Sequence, residues 1–350
     1  MGLILSLDNS IHSFNTGKFV LDQYTGAAAA YSLRRLSVNS TNVVRVRRSV
    51  DNAEDDFTAD EVADGTMLNW VNADMPLPLD TATAAAAYSL RNLKTSYTGS
   101  VIRVRRSSDN AEADFTADEI TDGTLLSWVG NTASDNGFVT TWYDQSGNSN
   151  DATQGTAANQ PKIVDAGVLV EENGKPAVDF DGVDDKFQQS LPNDFYGTKD
   201  IYFFAVTKNA TSSETGGITQ KRDGALDGNF GVGTAFGKYE FISRDTATAL
   251  ASLRTTSTYN TQEIVSVSRD SSGLQMYSPE TLTTASAVAD LTSTGVSMIG
   301  QGDSFGSLEG IIQEIIIFDS DQSSNRTNIE TNINDYYSIY AQDRDGFVTT

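Results

Sequence analysis

The chain contains no cysteine and only one histidine, His12, among its 350 residues. Without cysteine, there can be no disulfide, no thiol catalysis and no cysteine-ligated zinc. A single histidine effectively excludes Ser-His-Asp catalysis and metal sites built from several histidines. Three kinds of chemistry remain: catalysis by carboxylates, binding of an oxygen-ligated cation such as calcium, and binding without catalysis.

Basic residues are also scarce, at 24 Lys and Arg against 47 Asp and Glu, which gives a net charge of −23 and a pI near 4.2. Neutralising phosphates needs clustered Lys and Arg, so we expect no nucleic-acid partner. Long apolar runs are lacking too. The opening MGLILSLDNS has a short apolar run without a preceding basic segment, so we expect neither a signal peptide nor membrane insertion.

A tandem duplication is the clearest feature of the sequence. Residues 26–36 (GAAAAYSLRRL) recur as AAAAYSLRNL at 84–93, and residues 43–71 recur at 101–129 as VIRVRRSSDNAEADFTADEITDGTLLSWV. Agreement this dense does not arise from composition. Two copies are too few for a solenoid, which normally needs three or more repeats.

Each copy predicts the order helix, strand, turn, short helix. The alanine run is a good helix former, with Thr25 and Thr83 placed to cap it. In the strand that follows, valine or isoleucine alternates with arginine, which is typical of a half-buried strand. The acidic residues after it are expected to pair with those arginines. They are Asp51, Glu54 and Asp56 in the first copy and Asp109, Glu112 and Asp114 in the second. Trp70 and Trp128 are predicted to belong to the core.

Two further segments bear on assembly. Residues 72–83 (NADMPLPLDTAT) form the best linker candidate. The stretch DNGFVTT at 135–141 is echoed by RDGFVTT at 344–350. We therefore hypothesise that residues 347–350 supply to the first copy the strand that residues 138–141 supply to the second, either within one subunit or from a neighbour.

From residue 138 onward, short apolar runs separated by turn residues predict a sandwich or barrel. The predicted strands are 138–143, 177–180, 201–208, 229–234, 239–243, 263–268, 274–277, 296–300 and 311–318. The last is largely apolar and is expected to be central. A closing helix is predicted, capped by Asp321 or Ser323. Its apolar face is predicted to hold Ile329, Ile333, Tyr336 or Tyr337, and Tyr340.

Several motifs carry a family resemblance. WYDQSGNSNDATQ (142–154), NQPKIV (159–164) and GKPAVDFDGVDD (174–185) resemble laminin-G or concanavalin A-like domains. Together with AAYSLR and IRVRRSSDN, they are similar to the catalytic domain of the arabinofuranosidase B family and to lectin-like modules of bacteriophage tail and virion proteins. The resemblance covers roughly residues 78–341. It implies an all-β fold, a concanavalin A-like β-sandwich (jelly roll) with short helices, preceded by the duplicated α/β lead-in.

The same resemblance supplies the catalytic candidates. The family's acid lies in an Ile-Gly-Gly-Asp segment, which Ile299-Gly300-Gln301-Gly302-Asp303 matches with one residue inserted. Its nucleophile lies in an Asp-x-Glu-Asn segment that this chain lacks, and Glu240 is the candidate for a displaced counterpart. The two adjacent cysteines that the family places against the sugar are missing. These departures lead us to expect no enzymatic activity, with Asp303 and Glu240 as the catalytic residues if the chain is an enzyme.

Other residues suit ligand binding. An exposed aromatic ring beside polar groups is typical of carbohydrate sites. The carbohydrate-binding candidates are Trp142, Tyr143, Asp144, Gln145, Asn148, Tyr239 and Asp303. The Tyr143–Asn148 loop equally suits a purely architectural turn. Asp181, Asp184 and Asp185, with Asp179 nearby, are candidate calcium ligands, or else solvated carboxylates of an Asp-Gly turn.

The preferred interpretation is a non-enzymatic virion protein, structural or adhesive, that displays a carbohydrate-binding sandwich. The alternatives are a glycoside hydrolase resembling arabinofuranosidase B and a cell-surface adhesin. The expected organisation is an attachment segment (1–17), the first copy as assembly element (18–77), the sandwich with the second copy (78–341) and a C-terminal strand (342–350). The expected partners are other virion proteins, further copies of the chain and a host-surface glycan.

Overall fold

The computed structural model describes residues 19–24, 26–39, 41–48, 53–71, 76–189, 191, 200–210, 215–223, 227–235, 238–244, 250–256, 260–270, 273–278, 281–285, 296–302, 305–342 and 348–349. The predicted attachment segment, His12 and Thr25 lie outside these residues. The chain divides into two compact units, Met1–Met75 and Pro76–Thr350. Among the described helices, none is both long and apolar enough to cross a membrane.

In the described part of the first unit, one short helix precedes a hairpin and two short helices follow it. Its elements are α1 (Val20–Gln23), β1 (Asn42–Arg47), β2 (Glu54–Thr58), α2 (Ala59–Ala63) and α3 (Thr66–Val71). Arg45 on β1 is opposite Asp56 on β2, and its guanidinium makes two hydrogen bonds of 2.8 and 2.9 Å to that carboxylate. Thr58 and Glu61 form a capping box at the start of α2. The predicted pairing of arginine with acid is confirmed here and at Arg103–Asp114.

The second unit begins with the elements of the second copy, among them a strand, β3, that the described part of the first copy lacks. They are α4 (Pro78–Thr81), β3 (Ala86–Ser89), β4 (Ile102–Arg106), β5 (Glu112–Phe115), α5 (Ala117–Thr121) and α6 (Thr124–Val129). Short strands follow: β6 (Gly137–Trp142), β7 (Ala152–Thr153), β8 (Lys162–Asp165), β9 (Val168–Leu169), β10 (Glu171–Glu172), β11 (Lys175–Pro176), β12 (Val178–Asp181) and β13 (Phe187–Gln189).

Longer strands complete the sandwich. They are β14 (Ile201–Asn209), β15 (Gly216–Asp223), β16 (Asp227–Thr234), β17 (Lys238–Arg244), β18 (Leu250–Thr256), β19 (Gln262–Asp270), β20 (Gly273–Ser278), β21 (Thr281–Ala285) and β22 (Val296–Ile299). The chain closes with β23 (Gln301–Gly302), β24 (Gly306–Ser307), β25 (Glu309–Phe318), α7 (Arg326–Tyr337), β26 (Ala341–Gln342) and β27 (Val348–Thr349).

These strands form a β-sandwich of antiparallel pairs. One layer runs β21-β20-β19-β14-β25, with β12 and β3 sharing the far edge of β25. The other layer runs β13-β22-β15-β16-β17-β18. β6 joins the layers, because it pairs with β8, which reaches β12, and with β7, which reaches β13. The all-β sandwich predicted from the sequence is confirmed.

β25 is central, as predicted, and separates two apolar clusters. Ile312, Ile315 and Ile317 face the main core between the layers, whereas Ile316 and Phe318 face a second cluster under α7. A strand buried on both faces needs apolar residues at most positions, which explains its largely apolar sequence. All nine predicted strands are confirmed, each overlapping an observed one.

The alanine run is a strand in the second copy and not the predicted helix. β3 pairs with β25, and its residues alternate between the two clusters, with Ala86 facing the main core and Ala87 the cluster under α7. Small side chains allow β3 to fit between these layers, and burial on both faces outweighs the helix propensity of alanine. In the first copy, Gly26–Leu36 contains no helix either. Thr83 therefore caps no helix.

Two predictions at the C-terminus are wrong in detail. The closing helix is confirmed as α7, but its N-cap is Asn325, while Asp321 accepts a hydrogen bond from the Ser323 N–H. Val348 and Thr349 pair with Gln342 and Ala341 inside the second unit. Within one chain these two residues therefore pair elsewhere, which contradicts that form of the hypothesis, while supply of the strand from a neighbouring copy stays a prediction; Phe347 and Thr350 lie outside the described residues.

Candidate active site

Glu240 lies on β17 with its side chain on the sheet face opposite the core. Its neighbours Tyr239 and Phe241 belong to the main core, so alternation along the strand directs Glu240 the other way. The carboxylate accepts a 2.8 Å hydrogen bond from Ser252 Oγ. Arg254 Nη2 lies 3.0 Å from Oε1 and 3.1 Å from Oε2 of the same carboxylate. Both partners lie on β18, which holds the carboxylate in one orientation.

A row of glycines clears the sheet beside Glu240. Gly233 on β16 is directly opposite Glu240, and Gly217 on β15 is opposite Gly233. A Cβ atom added at Gly217 would meet the backbone of Gly302 at 2.6 Å, and one at Gly233 would meet the Phe305 ring at 2.7 Å. The β23–β24 hairpin therefore lies against the same sheet face as Glu240, and any side chain in the glycine row would push it away.

Asp303, the matched acid, lies outside the described residues. Its chain neighbours are described: Gly302 directly precedes it, and Phe305 follows two residues later. Both contact the glycine row on the Glu240 face. The structure thus brings the segment that carries one catalytic candidate onto the sheet face that carries the other.

The polar side chains of residues 144–148 form hydrogen bonds with the backbone of the alanine segment. Asp144 Oδ1 accepts from the Ala87 N–H at 2.8 Å, and Asn148 Nδ2 donates to the Ala84 and Ala85 carbonyls. Gln145 accepts from the Leu93 N–H at 2.8 Å and donates to two carbonyls of the same segment. These side chains satisfy backbone groups of a buried strand, which favours the architectural explanation of the loop over ligand contact.

The aromatic candidates are differently placed. Trp142 and Tyr239 are buried in the main core and offer no ring face to a ligand. Tyr143 is half-buried, and its hydroxyl donates a 2.7 Å hydrogen bond to Asp114. Burial, with this carboxylate second, raises the pKa of Tyr143 to about 12. Of the three rings, only Tyr143 reaches solvent, and the structure does not bring it together with Glu240.

The structure does gather the three calcium candidates. Ligand oxygens of Asp181, Asp184 and Asp185 lie within 4.8 Å of one another. Burial, and then the charge of Asp181, raises the pKa of Asp185 to about 7, while burial raises that of Asp179 to about 6. Carboxylate oxygens suit calcium, but hydrogen bonds within the turn also explain their arrangement, since Asp181 accepts from the Val183 N–H. Calcium binding stays a prediction.

This turn contacts the hairpin of the candidate acid. Lys186 Nζ donates a 2.7 Å hydrogen bond to Gln301 Oε1, and Ser307 Oγ donates to the Val183 carbonyl at 2.7 Å. The hairpin is therefore held on one side by the aspartate turn and on the other by the glycine row. Sequence reasoning missed Ser252, Arg254 and the packing of Phe305; the alternating glycines in GNFGVGT (228–234) were the available signal.

Three comparisons with known proteins bear on this arrangement. The sequence model of the catalytic domain of α-L-arabinofuranosidase B matches residues 77–176. No curated protein matches the chain in sequence. The match covers the second copy and the strands up to β11, and it ends before Glu240 and Asp303.

Solved structures of arabinofuranosidases share the fold. One, complexed with arabinofuranosyl-α-1,2-xylobiose, has a TM-score of 0.53 and 16% identity over 79% of this chain and 66% of its own. A second, a GH54 α-L-arabinofuranosidase soaked with a cyclic sulfate inhibitor, has a TM-score of 0.54 and 16% identity over 76% and 64%. The chain thus spans just under two thirds of the length of these proteins. The receptor binding domain of botulinum neurotoxin D is also similar, at 14% identity over 55% and 50%, but its TM-score of 0.43 is too low to support an argument.

These matches correct one expectation. The sequence led us to expect no enzyme, and the match of a catalytic-domain model, together with the arabinofuranosidase structures, contradicts that expectation. They give no support to a place on a virus particle, which stays a prediction, as do the expected virion partners.

Proposed function

We propose that the chain is a glycoside hydrolase that cleaves α-L-arabinofuranosides at the sheet face bearing Glu240. The observation that carries the proposal is the joint placement of Glu240 and the β23–β24 hairpin on one face of β15–β18. The matched catalytic-domain model supports the choice of substrate class.

Each carboxylate has a role in this proposal. Glycoside hydrolysis needs two carboxyl groups that flank the scissile bond. Asp303 protonates the departing oxygen, and Glu240 attacks the anomeric carbon to form a glycosyl ester. Water, deprotonated by Asp303, then releases the sugar and regenerates Glu240.

The contacts of Glu240 fit a nucleophile. A nucleophilic carboxylate must keep one oxygen aimed at the anomeric carbon, and fixed partners reduce the freedom that it would lose on reaction. Ser252 and Arg254 supply such partners from the neighbouring strand. The absent cysteine pair leaves the sugar without the family's platform, so the chain must position its substrate by other groups.

Hydrolysis of an aryl α-L-arabinofuranoside tests the proposal. We expect turnover by the unsubstituted chain and a loss of at least about a thousandfold in kcat for Glu240→Gln and for Asp303→Asn, because each removes a group that acts in the transition state. Asp165→Asn, a change at an exposed carboxylate on β8, serves as the matched control and should keep full activity.

Restoration by azide sharpens the assignment of roles. A small anion can replace a missing nucleophilic carboxylate, so azide should restore turnover to Glu240→Gly and yield a glycosyl azide. Substrate binding without turnover by the unsubstituted chain would instead indicate a carbohydrate-binding protein and would refute the proposal.

A further inference from the structure

The two copies differ most in the alanine segment. In the second copy, Tyr88 and Leu90 are 0% and 2% exposed. Their counterparts Tyr31 and Leu33, in the same AAAAYSLR sequence, are 95% and 59% exposed. The same side chains are therefore core in one copy and solvent-exposed in the other, a large exposed apolar surface for so short a segment.

What covers the second copy is visible in the structure. β3 lies along β25, whose isoleucines face both clusters, and Ser89 is directly opposite Glu314. Arg91, just after β3, makes a buried bidentate ion pair with Glu314 at 2.8 and 3.0 Å. We call this position, between β25 and the Asp144–Asn148 loop, the lead-in slot.

The slot does not discriminate between the two copies by sequence. Asp144, Gln145 and Asn148 bind backbone groups of residues 84–93. The side chains that fill the slot, from the alanines to Leu90 and Arg91, are repeated at positions 27–34. A segment carrying Arg34 also suits a partner with a buried carboxylate, because an arginine in a dry interface needs one. Arg34 is exposed and has no such partner within the described part of the chain.

The rest of the first copy preserves the same buried face. Val44, Val62 and Met67 stand where the second copy has Ile102, Ile120 and Leu125, each an exchange of one apolar residue for another. The second-copy residues are fully buried or nearly so, whereas the first-copy residues are half-buried. On its second edge, β4 pairs with β6; β1 pairs with β2, and no other described strand pairs with it.

We propose that the first copy docks on a sandwich in the way that the second copy docks on its own. Its partner is a concanavalin A-like sandwich in which no segment occupies the lead-in slot. Such a sandwich offers an isoleucine-rich strand bearing a buried glutamate to receive residues 27–36, and an open strand edge to receive β1. The interaction would cover the exposed Tyr31 and Leu33 and pair Arg34. This proposal does not depend on the proposed activity.

A chain with its own slot emptied serves as the probe. Ala87 is fully buried beside Asp144, so Ala87→Asp places a charge where none can be solvated. Ala30 is exposed, and Ala30→Asp would bury the same charge only when the first copy enters a slot. The double variant cannot fill its slot. Differently tagged, it is co-expressed with the unsubstituted chain, or with the Ala30→Asp chain as matched control. We expect a one-to-one complex with the unsubstituted chain and none with the control.

A cross-link tests the register. Ala86 is opposite Ile317 in the β3–β25 pair, and Ala29 is its counterpart in the first copy. Since the chain has no cysteine, Ala29→Cys in the donor should form a disulfide with Ile317→Cys in the emptied chain, and Glu54→Cys on β2 should not. Equal cross-linking by both donors would overturn the proposal.

Thermal unfolding shows whether the substituted chains fold. If the first copy can serve as a lead-in, Ala87→Asp alone should keep a cooperative transition that the double variant loses. Identical unfolding of the single and double variants, or no complex with the unsubstituted chain, would contradict the proposal.

Discussion

The two copies show how one sequence pattern yields two outcomes. In both, the hairpin and the capping box form, with Arg45–Asp56 and Arg103–Asp114 as equivalent ion pairs. The alanine segment becomes a strand only in the second copy, where β25 lies beside it. The sequence of the repeat therefore determines the local contacts by itself, whereas the alanine segment forms a strand only where another strand lies beside it.

The largest expected difference concerns the buried ion pair. Arg91→Ala leaves Glu314 buried without its counterion and should lower the free energy of unfolding by about 3–5 kcal/mol. The matched change Arg34→Ala, at an exposed side chain, should alter it by less than about 0.5 kcal/mol. Urea unfolding of both variants measures the contrast, and similar losses would show that the copies are equivalent after all.

Removing a leucine side chain from each copy should give a smaller contrast. Leu90→Ala opens a cavity in the main core and should cost about 2–5 kcal/mol. Leu33→Ala removes only exposed surface and should leave stability almost unchanged. Thermal melts of the two variants measure the difference, and a large loss for Leu33→Ala would mean that its side chain is covered in solution.

The capping boxes should behave alike. Thr58→Ala and Thr116→Ala each remove a side chain that accepts from the backbone N–H three residues on. Each should destabilise its own unit by about 1 kcal/mol, because the interaction is local. Hydrogen exchange of α2 and α5 reports the two effects separately; a strong effect in only one copy would contradict the view that local contacts are equivalent.

The smallest effect is the response of the exposed ion pairs to pH. Hydrogen bonds from Arg45 and Arg103 lower the pKa of Asp56 and Asp114 respectively in the folded chain. Their contribution to stability is therefore present above the ordinary aspartate pKa and is lost as the pH falls below it. Carboxyl titration by NMR should show both below about 3.9 and moving toward it in high salt. An ordinary pKa for only one of these two aspartates would show that the two ion pairs are not equivalent.

The sequence predicts features that depend on local contacts better than features that depend on long-range strand pairing. Alternation and turn residues were enough to place β14, β19 and β25, because each reflects a local pattern. They failed for residues 84–87, where the propensity of alanine favoured a helix. These residues form a strand because only small side chains fit between the two apolar clusters, and the sequence of the segment does not reveal that spacing. Alternation and turn residues also missed β15 and β18, which bring Gly217 and Arg254 to the Glu240 face. The resemblance supplied Asp303 and Glu240 as candidates, but their shared sheet face follows from strand register, which no single segment encodes.

The central claim is that Glu240 and Asp303 act on one sugar. A crystal structure with arabinose bound would measure the separation of their carboxyl groups. We predict about 5–5.5 Å, the spacing of a retaining glycosidase. A separation of about 6.5 Å or more, which is the range of inverting glycosidases and beyond, or a sugar bound away from the Glu240 face, would contradict the account.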